Sequence, residues 1–203
     1  MITFKKFLSE AQLHVFDIDD TLFHTTALIK VRKDGKIIHS LTNQEFNSYK
    51  LKSGEKFDFD EFGSSKKFHD ESVPMHTMLD NLKRIHNRIK NNLSPGSKII
   101  MNTARGDFDD KDKFLDKFKQ HGVDIDDIHV HRAGTLPGDE PPATKKLVFI
   151  RRYLDKKPYK EVFMYDDSRS NLRAFLTLQK EYPDTKFNAF FVTNKGVIQA
   201  FKG

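Results

Sequence analysis

The chain has 203 residues, 37% of them hydrophobic, no cysteine, and a formal charge of +6. That length buries one sizeable core plus a modest insertion, and the lack of cysteine excludes a disulfide framework, a thiolate nucleophile and a cysteine zinc cluster, leaving oxygen or imidazole to hold any metal. No apolar run approaches the roughly 20 residues of a membrane span and residues 1–10 lack a signal-peptide apolar region, so the expected setting is cytoplasmic.

In chain order, Thr3 can cap a short helix through Ala11, followed by a strand from Leu13 to Phe16. Ala27–Val31 and Lys36–Leu41 flank Asp34-Gly35, a strong hairpin signal, and a short helix over Asn43–Tyr49 is expected next. The stretch to about Asp70 is polar and rich in phenylalanine, with Gly54, Gly63 and Ser64-Ser65 as breakers. Helical spacing returns at Met75, Met78, Leu82, Ile85 and Ile89. Beyond it the pattern predicts strand at Lys98–Met101, helix at Asp109–Gln120, strand at Ile128–Val130 and helix at Ala143–Leu154. It closes with strand at Val162–Tyr165, helix at Ser170–Glu181 and strand at Phe187–Val192. Short apolar strands separated by helices imply an α/β fold, a Rossmann-like doubly wound parallel sheet with helices on both faces.

In such a sheet, ligands bind beyond the carboxyl ends of the strands. Residues 15–22 read Val-Phe-Asp-Ile-Asp-Asp-Thr-Leu, and Asp17 and Asp19, two apart on extended chain, project to one side. Carboxylates so placed repel unless a cation or proton lies between them, which suggests a divalent metal beside a nucleophile. Thr103 and Arg105 follow the Ile99-Ile-Met strand, Asp166-Asp167 follow Val162–Tyr165, and Lys145-Lys146 open the helix before them. Taken singly, each has an ordinary use as a turn, cap or solvated residue. Asn171 either orients the acidic pair or caps the following helix.

Together these residues resemble the haloacid dehalogenase superfamily of phosphohydrolases. Its first motif, Asp-x-Asp-x-Thr, stands as Asp17-Ile-Asp19-Asp-Thr21, the second as a strand ending in Thr103, the third as Lys145 or Lys146, and the fourth as Asp166-Asp167. All four occur in the family's order, and the resemblance covers the chain outside roughly 24–70. It implies a phosphatase core over residues 1–23 and 71–203 with a small inserted cap at 24–70. It also implies Asp17 as nucleophile forming an aspartyl-phosphate, and Asp19 as the acid and base. A Mg2+ ion would be held by Asp17, the Asp19 carbonyl and one of Asp166 and Asp167, with Asp166 favoured. Thr103 and a lysine would hold the phosphoryl oxygens, with Lys145 and Lys146 left open.

Thr103-Ala-Arg105-Gly is similar to the Ser-Gly-Arg segment of bacteriophage polynucleotide 3′-phosphatase domains, and there Arg105 would fork onto a phosphate. The acidic residue those domains carry four before the lysine is replaced here by Pro141 or Pro142. The first residues also resemble the beginnings of some phage proteins, which would set the chain to work in a host cytoplasm. No kinase P-loop is present. The basic surplus favours phosphorylated partners, nucleic acid among them. The expected substrate is therefore a nucleotide or nucleic-acid terminal phosphate, with a small-metabolite phosphatase as the alternative. A phospho-accepting signalling receiver would need its aspartate where Thr103 stands, and an idle binding module would not need both Asp17 and Asp19. His129 and His131 share a face without a third ligand, and the Phe57–Phe68 stretch suits either packing of the insertion or stacking on bases.

Overall fold

The computed structural model describes residues 11–203, so the helix expected from Thr3 lies outside the described residues apart from its last position, Ala11. The elements begin with β1 (Gln12–Phe16), β2 (Phe23–His24), β3 (Ile29–Lys33), β4 (Lys36–Leu41), α1 (Asn43–Ser48) and β5 (Glu55–Asp58). They continue with α2 (Ser65–Glu71), β6 (Val73–Pro74), α3 (His76–Lys90), β7 (Lys98–Thr103), α4 (Lys111–Gln120) and β8 (His129–Arg132). The last are α5 (Pro142–Leu154), β9 (Glu161–Asp166), α6 (Arg169–Thr177), β10 (Lys186–Val192) and β11 (Ile198–Phe201).

A six-stranded sheet runs in the order β11-β10-β9-β1-β7-β8, parallel throughout except for the β10–β11 edge pair. The chain starts in the middle, at β1, builds outward through β7 and β8, then crosses back to build β9 and β10 on the other side. The order therefore reverses at β1, which opens a crevice at its carboxyl end. Period-two alternation sends Leu13 and Val15 to one face and Phe16 to the other. Leu13 and Val15 pack with Leu147, Ile150, Leu172 and Phe175 from α5 and α6. Phe16 packs with Met78, Leu82, Phe114 and Phe118 from α3 and α4. Strands buried on both faces read as unbroken apolar runs, which is why they were legible in the sequence.

The chain leaves this core through β2 and returns through β6, and the two pair antiparallel as a neck, Phe23 opposite Pro74 and His24 opposite Val73. Beyond the neck, β4-β3-β5 form a separate antiparallel sheet over a small cluster of Ala27, Ile29, Val31, Leu41 and Phe62. Its β3–β4 turn is the expected Asp34-Gly35, with φ of 50° and 76°, a left-handed pair that glycine permits and aspartate tolerates. Helix α2, although inside the 24–70 segment, packs Phe68 into the main core rather than onto this sheet.

Five elements were not anticipated: the two-residue neck strands β2 and β6, and β5, α2 and β11. Strand β5 is four residues between polar breakers, α2 carries one buried aromatic among charged residues, and β11 is a half-buried edge strand. In each, tertiary pairing supplies what local pattern lacks. Two helices are shorter than expected: α4 starts at Lys111 because Asp110 caps it, accepting from the Lys113 amide at 2.9 Å, and α6 ends at Thr177 in a 3-10 turn over Leu178–Lys180.

Phe118 is fully buried and edge-on to Phe23 at 5.1 Å. Phe118→Ala is expected to lower stability by about 3–5 kcal/mol in urea unfolding, as deletion of a buried aromatic does. A loss under about 1 kcal/mol would contradict the packing described.

Candidate active site

Asp17 is the first residue past β1, and its amide donates to the Tyr165 carbonyl of β9 at 3.0 Å. The parallel ladder thus extends one step and aims the carboxylate into the crevice. The chain then turns tightly: the amides of Thr21, Leu22 and Phe23 all donate to the Ile18 carbonyl, at 3.3, 2.9 and 3.1 Å. Asp20 takes the strain of this turn, with φ of 55°. The buried Thr21 hydroxyl accepts from the Asp167 amide at 3.1 Å, locking the loop after β1 to the loop after β9.

Lys146 is 1% exposed, and its Nζ donates to Asp17 Oδ1 at 2.7 Å and Asp166 Oδ2 at 2.8 Å. Lys145 faces elsewhere, donating to the Leu136 and Gly138 carbonyls at 2.9 and 2.7 Å and tying down the Gly-Pro loop before α5. Of the two lysines the sequence left open, Lys146 is the one in the pocket. Its helix is pinned to β7 by Asn102, whose Nδ2 donates to the Lys146 carbonyl at 2.9 Å.

Asp166 and Asp167 differ in their surroundings. Asp166 accepts from Lys146, from Asn171 Nδ2 at 2.9 and 3.0 Å, and from the Ser168 amide at 2.8 Å. Asn171 therefore orients Asp166, in line with one of the two uses the sequence allowed. The Asp167 carboxylate accepts no hydrogen bond among the described residues. Asp166, favoured as the direct metal ligand, has both oxygens engaged, so the freer carboxylate is Asp167.

One oxygen from each of Asp17, Asp166 and Asp167 lies within 4.8 Å of the others. Burial pushes the Asp17 carboxyl up to about 7; Lys146 partly offsets this, and the charges of Asp166 and Asp19 add to it. Asp167 is raised well above the carboxylate range, first by burial and then by Asp166 and Asp17. Burial alone would lower the Lys146 ammonium, but the attraction of Asp166 and Asp17 outweighs it and holds the ammonium above the usual lysine range. An all-oxygen set whose repulsion Lys146 only partly relieves could hold a metal ion. His129 and His131 join no such cluster among the described residues; His131 Nε2 is paired with the Tyr153 hydroxyl at 2.9 Å.

Asp19 belongs to a second buried ion pair. Arg105 Nε donates to its Oδ2 at 2.9 Å and Nη2 to its Oδ1 at 2.6 Å, a bidentate fork. The third fork nitrogen, Nη1, donates to the Phe62 carbonyl at 2.7 Å, and the guanidinium lies 4.7 Å from the Phe68 ring centroid and 5.1 Å from that of Phe62. Arg105, expected to fork onto a phosphate, is 2% exposed and grips Asp19 in this structure. Thr103 supports both partners, its hydroxyl accepting from the Arg105 amide at 3.1 Å and donating to Asp19 at 3.4 Å.

Several contributors carried no signal in the sequence because they come from distant segments. Asn43, in the first turn of α1, donates to Asp20 at 2.8 Å, and the Thr25 hydroxyl lies 3.4 Å from Arg105 Nη2. Gly134 donates its amide to the Arg105 carbonyl at 3.1 Å, and a Cβ there would sit 2.4 Å from the Ala104 carbonyl oxygen, so only glycine permits that contact. No family model matches the chain, and no curated protein matches it.

The ion-pair geometry makes stability depend on pH. In metal-free protein, the Asp17 carboxyl titrates at about 7 in the fold against an ordinary 3.8. Its contribution is therefore complete below the ordinary value and is lost as pH rises through about 7. Lys146→Met removes the opposing ammonium and should lower stability in EDTA by about 3–5 kcal/mol at pH 8. The loss should be clearly smaller at pH 5, where Asp17 is protonated. An equal loss at both pH values in urea unfolding would contradict the charge balance described.

Proposed function

We propose that the protein is a Mg2+-dependent phosphomonoesterase of haloacid dehalogenase type, acting on a nucleotide or nucleic-acid terminal phosphate. The observation that carries this reading is the Lys146 ammonium bridging Asp17 and Asp166 beside Asp167, at the crevice where the sheet order reverses. A bare structural ion pair would need one carboxylate per lysine. Here three converge, and one of them, Asp167, has no donor to its carboxylate among the described residues, which leaves it open to a cation.

In this account an Asp17 oxygen attacks phosphorus as the ester P–O bond breaks, and Asp19 gives its proton to the departing alkoxide. Asp19 then takes a proton from a water whose oxygen attacks the aspartyl-phosphate. Inorganic phosphate leaves and the Asp17 carboxylate is restored. Arg105 is a positioning residue: its fork fixes the Asp19 carboxyl in one orientation and releases one of its oxygens for each proton transfer, and Thr103 braces the fork. Lys146 and Thr103 are the groups that would meet the phosphoryl oxygens as charge builds on them. Asp17, the Asp19 carbonyl and Asp167 would hold Mg2+, with Asp166 orienting Lys146 behind them. When bound, the ion would supply charge neutralisation between the phosphate and its anionic nucleophile.

The testing experiment is a screen in Mg2+ of 3′- and 5′-phosphorylated DNA and RNA against small phosphate esters. Release of phosphate from the nucleic-acid or nucleotide substrates is expected, reduced to background in Asp17→Asn, whereas full activity in Asp17→Asn would reject the nucleophile. Independently of turnover, Mg2+ should raise the melting temperature, and by more at pH 8 than at pH 6, because its ligands must be deprotonated and Asp17 titrates near 7. A shift of equal size at both values, or none, in thermal melts would count against the metal site.

A further inference from the structure

In the proposed reaction the leaving group departs beside Asp19, which protonates it, so the side chains around Asp19 are the ones the leaving group meets. Asp19 is gripped by Arg105, whose guanidinium faces the Phe62 ring at 5.1 Å. From Phe62 an aromatic row leads outward: Phe62 to Phe59 at 6.5 Å, and Phe59 to Phe57 at 5.9 Å and Phe46 at 5.6 Å. Phe62 is buried and Phe46 and Phe57 are half-buried, whereas Phe59 is 45% exposed. A single exposed ring is ordinary on a protein surface; Phe59 is set apart by its continuity with the cluster that ends at Arg105.

Two tethers hold this row at the catalytic loop. Asn43 Nδ2 donates to Asp20 Oδ2 at 2.8 Å, one turn before Phe46 in α1. Arg105 Nη1 donates to the Phe62 carbonyl at 2.7 Å, three residues after Phe59. Phe59 therefore lies between two segments that are each bonded to the Asp19-Asp20 turn or to its arginine. The contacts with Phe46 and Phe62 are edge-on, at 85° and 67°, which fixes the plane of the ring.

Resting on the phosphatase reading, we infer that Phe59, backed by Phe46 and Phe57, is a stacking surface for the planar base of a nucleotide leaving group. Every base has a π-face, so such a surface selects nucleotides over alkyl and sugar phosphates without reading base identity. The net charge of +6 adds attraction for the phosphates of a longer strand.

The chain contains no tryptophan, so Phe59→Trp places its only indole at the proposed contact. In an Asp17→Asn background, which removes turnover, adenosine 3′-monophosphate should quench this indole saturably while glycerol 3-phosphate at equal concentration does not. In the Asp17-intact protein, Phe59→Ala should lower the ratio of kcat/KM for adenosine 3′-monophosphate over glycerol 3-phosphate by about tenfold, with Phe59→Tyr restoring it. Quenching by both esters alike or by neither, or a ratio within about twofold of the unsubstituted protein, would overturn the inference. If the unsubstituted protein hydrolyses neither ester and none of the phosphorylated DNA and RNA substrates, the phosphatase reading fails, and the quenching experiment still decides whether the surface binds a base.

Discussion

The buried ammonium of Lys146 is the constraint around which the crevice is organised. Asp17, Asp166 and Asp167 approach one another at the ends of two adjacent parallel strands, and in a sheet buried on both faces they have little water to screen them. One lysine cannot neutralise three carboxylates. Burial first, and the neighbouring carboxylates after it, raise Asp17 and Asp167, and a cation is the simplest group that would relieve both. Much of the surrounding structure serves to place that ammonium: Asn102 pins the α5 backbone at Lys146, Lys145 ties the preceding loop, and Thr21 draws the β9 loop toward β1.

A second buried pair, Arg105 with Asp19, joins the crevice to the inserted segment. Its guanidinium touches both bodies, contacting the Phe68 ring that packs in the main core and the Phe62 ring that belongs to the insertion. Removing either charge would leave the other buried and unpaired, so the pair is held in place by the penalty of breaking it. The consequence for chemistry is that the carboxyl proposed to move protons sits on a linkage shared with the segment proposed to choose the substrate. A change in the insertion near Phe62 therefore reaches Asp19 through one residue.

The parallel strands and their end residues could be read from the sequence because burial on both faces leaves unbroken apolar runs that stop where the polar residues begin. Asp17, Asp19, Thr103 and Asp166 each stand at such a stop, and the sheet brings them to one edge. The choice between Lys145 and Lys146 could not be made, since both open the same helix and only its rotation separates them. The partner of Arg105 was invisible for a related reason: a guanidinium two residues past β7 can reach a phosphate or a carboxylate, and the selection comes from Asp19, 86 positions away. Strand β5 and helix α2 lack a local pattern because their apolar contacts are with distant residues.

The central claim is a covalent phosphoryl-enzyme on Asp17. Acid quenching during steady turnover of a phosphorylated oligonucleotide, followed by borohydride reduction, converts an aspartyl-phosphate to homoserine, which peptide mass spectrometry can place. The account predicts homoserine in place of Asp17 and at no other aspartate, with its yield following substrate concentration. Turnover with Asp17 unmodified, or modification at Asp19, Asp166 or Asp167 instead, would contradict it.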